Sequence, residues 1–226
     1  MLKYLFTFFL KSLYSFNHSI SLKKTILYLT KVKCMNSNKL ILDNSRIHKS
    51  RLYINTGKNN TIDSKGVEMT NSIISIDGNC NHLTIQSGVI LRNATITIRG
   101  QYCSIFIGSG TTFGEVRIIN VGKNNEIRIG GKCLFSDKIE VWASDTHSIY
   151  DCDGIFLNPE LPIIIGDNVW IGSHVKILKG VTIGDGAIIG MNSLVTKNIQ
   201  PKSLNVGSPA RCIKKDVTWA LKYMNE

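Results

Sequence analysis

From residue 165 the chain divides into sixes: IGDNVW, IGSHVK, ILKGVT, IGDGAI, IGMNSL and VTKNIQ. An aliphatic residue leads every six (Ile165, Ile171, Ile177, Ile183, Ile189, Val195), and glycine follows it at 166, 172, 184 and 190. The fifth position holds residues of modest size: Val169, Val175, Val181, Ala187, Ser193 and Ile199. An α-helix would scatter residues six apart around its circumference, and a flat strand would alternate in twos. A coil with three short sides accounts for the count. Each side aims its leading aliphatic inward, and glycine or small polar residues relieve the corners. Eighteen residues then close one turn, stacked on the next at about the 4.8 Å spacing of adjacent strands. The pattern predicts an all-β solenoid, a parallel β-helix.

Upstream the beat lengthens. TGKNNTIDSKG (56–66), DGNCNHLTIQSG (77–88), RGQYCSIFIGSG (99–110) and VGKNNEIRIGGK (121–132) repeat one another, with leading glycines at 57, 78, 100 and 122. These are coils of the same solenoid with about four extra residues at a corner. Asparagines at 59, 60, 79, 81, 124 and 125 suit left-handed corner geometry and stacking between coils. All four prolines (159, 162, 201, 209) follow residue 158. The expected organisation is a basic, partly helical segment over 1–50, the β-helix over 51–205, and a turn with a short helix over 206–226. Periodicity alone is equally consistent with a binding or structural solenoid.

Composition bounds the picture. The 226 residues are 43% hydrophobic and 19% charged, enough apolar surface for a core. Residues 1–50 hold nine Lys or Arg against one acid, Asp43, and so supply most of the net charge of +11. The apolar run YLFTFFL lies between Lys3 and Lys11. It is too short to span a bilayer, which takes about 20 apolar residues, and no small-residue cleavage site follows. Helices packed on the main body are expected there, with peripheral contact at a membrane surface as the alternative. The six cysteines form no C-x-x-C pair and read as reduced, mostly buried thiols of a cytoplasmic protein.

Both rhythms lapse at DTHSIYD, residues 145–151. Its His147 suits a general base near neutral pH. A solvated loop histidine and a metal ligand are the rivals. Asp145, His147, Asp151, Cys152 and Asp153 are close in sequence, but no second histidine stands at a ligand-like spacing, so no metal is expected.

The line PIIIGDNVWIGSHVKILKGVTIGDGAIIGMNSLVTKNIQPKSLNVGSPARCIKK (162–215) resembles the hexapeptide-repeat acyltransferases. With its long-period upstream coils the chain looks most like bacterial O-acetyltransferases of capsular polysaccharides and sialic acids. The resemblance implies a left-handed β-helix, a homotrimer, and acetyl-CoA lying between neighbouring subunits. The family's catalytic histidine precedes a W-I-G motif by some two dozen residues, and here His147 lies 23 residues before Trp170. It implies direct transfer, with His147 as base and Trp170 at the thioester; a carbonyl or a carboxylate could orient the base, and Asp145 is the nearest candidate in sequence. The Ser173 backbone N–H is the implied oxyanion donor. Cofactor contacts are implied for Thr146, Trp170, Ser173, Gly190, Met191, Ser193, Thr196, Lys197, Arg211 and Lys214. Met191 stands where the family usually has a small residue. Tyr150 and Asp151 are candidates for the acceptor side. Positive charge favours an anionic glycan such as a sialic acid or uronic acid polymer, although coenzyme A alone accounts for some of it, and no nucleic acid is implied. An amino-sugar N-acetyltransferase, a non-catalytic β-helical binding protein and a metal-dependent carbonic anhydrase-like protein are the alternatives.

Overall fold

The computed structural model describes residues 20–35 and 37–222, and every regular element within them is a β-strand. The strands form three parallel sheets that are the three sides of a prism. The first side runs from Ile20–Lys23 to Thr182–Ile183 in eight strands, and the third from Lys31–Cys34 to Leu194–Val195 in eight. The second runs from Ile26–Tyr28 through Ile188–Ile189 to Ser203–Val206. A last strand, Arg211–Lys215, turns back antiparallel on Ser203–Val206 and covers that sheet's edge with exposed basic residues.

The register reproduces both rhythms. Lys39 pairs with Thr61, Thr61 with His82, His82 with Ser104 and Ser104 with Glu126, the long beat. Ile164 pairs with Thr182, the eighteen-residue beat. Between them Ile127 pairs with Ile163, so the coil carrying DTHSIYD is twice the short length. The leading aliphatics Ile165, Ile171, Ile177, Ile183, Ile189 and Val195 are all buried. They share one axial core with Leu83, Leu91, Ile96, Ile105 and the tilted ring pair Phe113 and Phe135, whose centroids are 4.6 Å apart.

Three expectations change. The extra upstream residues do not bulge at a corner: they lengthen the third-side strands to Ile73–Asn79, Thr95–Gln101 and Val116–Lys123. Pairing with the coils above and below satisfies their backbone groups, which a free loop would leave to water. Gly78, Gly100 and Gly122 sit in register near the ends of these strands, where a Cβ on Gly100 would lie 1.9 Å from the Gly122 carbonyl oxygen. The glycine beat therefore records backbone stacked on backbone. Second, of the segment 1–50 expected to be partly helical, the described residues 20–35 and 37–50 hold no helix. Ile20–Lys23, Ile26–Tyr28, Lys31–Cys34, Lys39–Asp43 and Arg46–His48 are strands of the same three sheets. In KLILD (39–43) Leu40 and Leu42 are buried between more exposed neighbours, the period of two of a strand. YLFTFFL lies outside the described residues. Third, no C-terminal helix forms over 216–222. An isolated turn or two of helix is costly to nucleate, and here the Val217 N–H donates to the Lys202 carbonyl while Trp219 docks on the second side.

Asparagine works in two adjacent positions. Asn59 and Asn124 take left-handed φ of 59° and 54°, the place held by Cys80 and Tyr102 in intervening coils. The next residue points inward: Asn38, Asn60, Asn81 and Asn125 are buried. Asn38 Oδ1 accepts from the Asn60 N–H at 2.9 Å, Asn60 Oδ1 from the Asn81 N–H at 3.0 Å, and Asn81 Oδ1 from the Cys103 N–H at 3.0 Å. This ladder ties coil to coil at the corner between the third and first sides.

Candidate active site

DTHSIYD lies where the long beat becomes the short one. The third-side strand Ile139–Trp142 pairs with Val116–Ile119 but stops where its neighbour continues to Lys123. The Asn125 amide donates to the Ala143 carbonyl at 2.8 Å, and beyond it the chain leaves the wall until Ile163. The excursion takes the place of the strand extension found one coil earlier.

The loop has its own scaffold. Ile149 and Leu157 are joined by a backbone hydrogen bond of 2.9 Å, Tyr150 and Phe156 form an antiparallel bridge, and their rings lie 5.7 Å apart. Asp151 Oδ1 accepts from the N–H groups of Asp153 and Ile155 at 3.0 and 2.8 Å and closes the turn. That carboxylate oxygen thus serves the loop, while the Tyr150 ring stands exposed. Thr146 takes a φ of 63°, and its N–H donates to Ser144 Oγ at 2.9 Å.

His147 follows directly and is exposed, and its imidazole makes no hydrogen bond among the described residues. Its backbone carbonyl accepts from Asn158 Nδ2 at 2.9 Å. Asp145, expected to orient it, directs its carboxylate to Lys179 at 2.6 Å and to Asn158 Nδ2 at 2.9 Å. The hydrogen bond from Lys179, then that from Asn158, holds the Asp145 carboxyl below the ordinary carboxylate range. Lys179 and Asn158 were not legible as site residues. The only hint was a lysine in ILKGVT at the position held by Asp, Ser or Met in four of the other five sixes.

The remaining candidates are spread over the corners and the far end of the prism. Ser173, Met191 and Ser193 lie on successive coils at the turn from the second to the third side, with Gly190 just before it. The Ser173 N–H donates to no group among the described residues, and the Met191 side chain is exposed. Ser193 is buried and its hydroxyl accepts from the Gly207 N–H at 3.0 Å, so it fastens the closing turn. A groove of about 720 Å³ runs along this corner, lined by Arg117, Lys138, Glu140, His174, Lys176 and Asn192. Thr196 and Lys197 are exposed at the third-to-first corner, the same corner as His147. Arg211 and Lys214 are exposed on the last strand.

Trp170 begins a second-side strand and so stands at a different corner from His147. It is 38% exposed, and its ring lies 6.0 Å from that of Trp219, which the sequence did not single out. Trp219 Nε1 donates to the Asn168 carbonyl at 2.7 Å and so pins the C-terminal segment beside Trp170. Among the described residues no three His, Cys, Asp or Glu side chains converge as metal ligands, and no helix is long and apolar enough to cross a membrane.

Residues 162–197 match the family described as bacterial transferase hexapeptide (six repeats). A Schizosaccharomyces pombe relative is 42% identical over 107 residues, 46% of each chain. Galactoside O-acetyltransferase of Escherichia coli (strain K12) is 57% identical over 54 residues, 24% of this chain and 27% of that protein. The chain thus spans about half the length of the first relative and about a quarter of the second. Two solved structures match nearly throughout. The polySia-specific acetyltransferase NeuO gives a TM-score of 0.68 at 26% identity, covering 91% of both chains. The polysialic acid O-acetyltransferase OatWY gives 0.72 at 26%, covering 92% of this chain and 95% of that one. The chain therefore carries the hexapeptide repeat of bacterial transferases on a solenoid that is similar, upstream coils included, to the polysialic acid O-acetyltransferases.

Proposed function

We propose that this chain is an acetyl-CoA-dependent O-acetyltransferase acting on a sugar hydroxyl of an anionic, sialic acid-type surface polysaccharide or its precursor. The carrying observation is the likeness to NeuO and OatWY over more than nine-tenths of the chain, long coils included. The shorter match to galactoside O-acetyltransferase speaks only for the acetyl-transfer half. In the groove Arg117, Lys138 and Lys176 outnumber Glu115 and Glu140, a balance that favours an acidic acceptor.

In the reaction, His147 takes the proton of the sugar hydroxyl as that oxygen attacks the thioester carbonyl. The carbonyl oxygen gains charge, which the free Ser173 N–H is suited to receive. Collapse breaks the carbon–sulfur bond, and the proton held by His147 passes to the departing thiolate. Lys197, Arg211 and Lys214 offer cations for the phosphates of coenzyme A, and the exposed Met191 and Thr196 offer contacts along its arm.

His147 and Trp170 leave different corners of one prism, so a site using both takes them from two copies. The loop favours such packing: Ile149, Tyr150, Ile155, Phe156, Leu157 and Leu161 are all exposed in the single chain. We assign a homotrimer of left-handed prisms with the site between subunits, working in the cytoplasm.

The test is mass spectrometry of polysialic acid incubated with labelled acetyl-CoA, for the wild type and His147→Ala. Acetate should appear on the glycan with the wild type and fall to background in the variant, with folding and coenzyme A binding retained. Transfer by the variant at the wild-type rate overturns the assignment of the base. Turnover on free amino sugars alone would mark an N-acetyltransferase.

A further inference from the structure

We propose that Lys179 is the positioning residue of the catalytic loop: a cation built into the prism wall that fixes both ends of the excursion carrying His147. This rests on His147 being the base. The Lys179 ammonium meets Asp145 Oδ2 at 2.6 Å, the Asn158 carbonyl at 3.0 Å and the Pro159 carbonyl at 2.9 Å. An ammonium has three N–H donors and no more, so these oxygens use its full capacity. Asp145 opens the loop and Asn158–Pro159 close it; one side chain therefore joins the outgoing and returning arms of the loop. Only 16% of the Lys179 side chain is exposed, which sets it apart from solvated surface lysines.

Asn158 carries the constraint onward. Its amide nitrogen donates to Asp145 Oδ2 and to the His147 carbonyl, both at 2.9 Å, and its oxygen accepts the Ile149 N–H at 2.6 Å. The backbone is thus gripped at His147 and again two residues on. Lys179 is itself anchored on both sides of its root. Leu178 pairs with Trp142 in the third side, and the Gly180 N–H donates to the Pro162 carbonyl at 3.0 Å. Gly180 has a φ of +75°, and a Cβ there would lie 2.9 Å from Leu161, so the wall is shaped to receive the returning chain. The path from rigid wall to base is Lys179, Asp145, Asn158, His147.

The experiment compares full-length wild type, Lys179→Met, Lys179→Arg and His147→Ala. Acetyl transfer to polysialic acid is read together with hydrogen exchange of the 145–158 amides. Lys179→Met should lower kcat by about 100-fold, the cost of a reacting group displaced by an ångström or so. KM for acetyl-CoA should stay unchanged and Tm should fall only slightly, by the loss of the Asp145 contact, while exchange across 145–158 quickens. Lys179→Arg keeps the charge but not the three-way geometry, and should recover part of both readouts. A Lys179→Met enzyme with wild-type kcat overturns the proposal. So does one whose kcat and Tm fall steeply and whose KM rises while loop exchange is unchanged, since that is general damage. Activity surviving in His147→Ala removes the base reading, and with it this role in catalysis. If no transfer is seen with any variant, loop exchange decides alone: unchanged rates in Lys179→Met sink the clamp.

Discussion

Asn60 Nδ2 donates to the carbonyl oxygen of Gly78 at 2.6 Å, across eighteen residues of sequence and one step of the solenoid. Through this bond the buried asparagine ladder meets the glycine ladder. Asn60→Ala should leave the Gly78 carbonyl and the Asn81 N–H without their partner inside the prism. The expected loss is about 1–3 kcal/mol, read as a lower midpoint in equilibrium urea unfolding. An unchanged midpoint would mean that water enters this corner and replaces the side chain.

Gly100 is held by contact rather than by φ. A methyl group there meets the Gly122 carbonyl at 1.9 Å, and neither backbone can give way without breaking register with its coils. Gly100→Ala should cost at least about 1–3 kcal/mol, whereas alanine at Gly154, with open space around it, meets only the strain of its φ of +79°. Thermal unfolding of the two variants should rank them in that order.

Asp145 gives the loop a pH dependence of defined sign. Its folded pKa lies below the ordinary value, chiefly through the hydrogen bond from Lys179. Its contribution is therefore fully present above about pH 4, the unfolded carboxyl value, and is lost as pH falls through the lower folded one. In Lys179→Met the Asp145 carboxyl should titrate higher, toward its ordinary range. Carbon-13 titration of the side-chain carboxyl would show it, and an unmoved pKa would assign the depression to Asn158 instead.

The thiols should separate by burial. Cys103 and Cys133 are buried and Cys152 and Cys212 exposed, with Cys34 and Cys80 between, so fewer are buried than the sequence led one to expect. Desolvation pushes Cys133 up to about 11, which leaves almost no thiolate at neutral pH. Alkylation followed by peptide mapping should label Cys152 and Cys212 first and Cys133 only after unfolding. Early labelling of Cys133 in the native protein would mean that the axial core opens locally.

The solenoid was legible because its repeat is written in residue types with one steric use each. Aliphatics every six residues fill an axial core, and glycine at 78, 100 and 122 permits backbone to lie on backbone. The lapse at 145–151 was legible for the same reason, as a break in a count. The strands in the described part of 1–50 were not legible, and helix was expected there, because that stretch lacks the glycine beat. Its short alternations, such as KLILD, become decisive only once a neighbouring coil offers an edge to pair with. The expected C-terminal helix failed on a long-range term, the docking of Trp219 beside Trp170 and its hydrogen bond to Asn168.

The sequence by itself determined a three-sided coil, the residue at which the chain leaves it, and a histidine at that point, since each depends on spacing along the chain. Only the tertiary structure decided what the histidine's neighbours do. Asp145 meets Lys179 because a loop closes over the next coil, and that contact is fixed by stacking distance, which no local period encodes. The separation of His147 and Trp170 onto different corners is of the same kind: twenty-three residues in sequence say nothing of direction until the prism gives each side its facing.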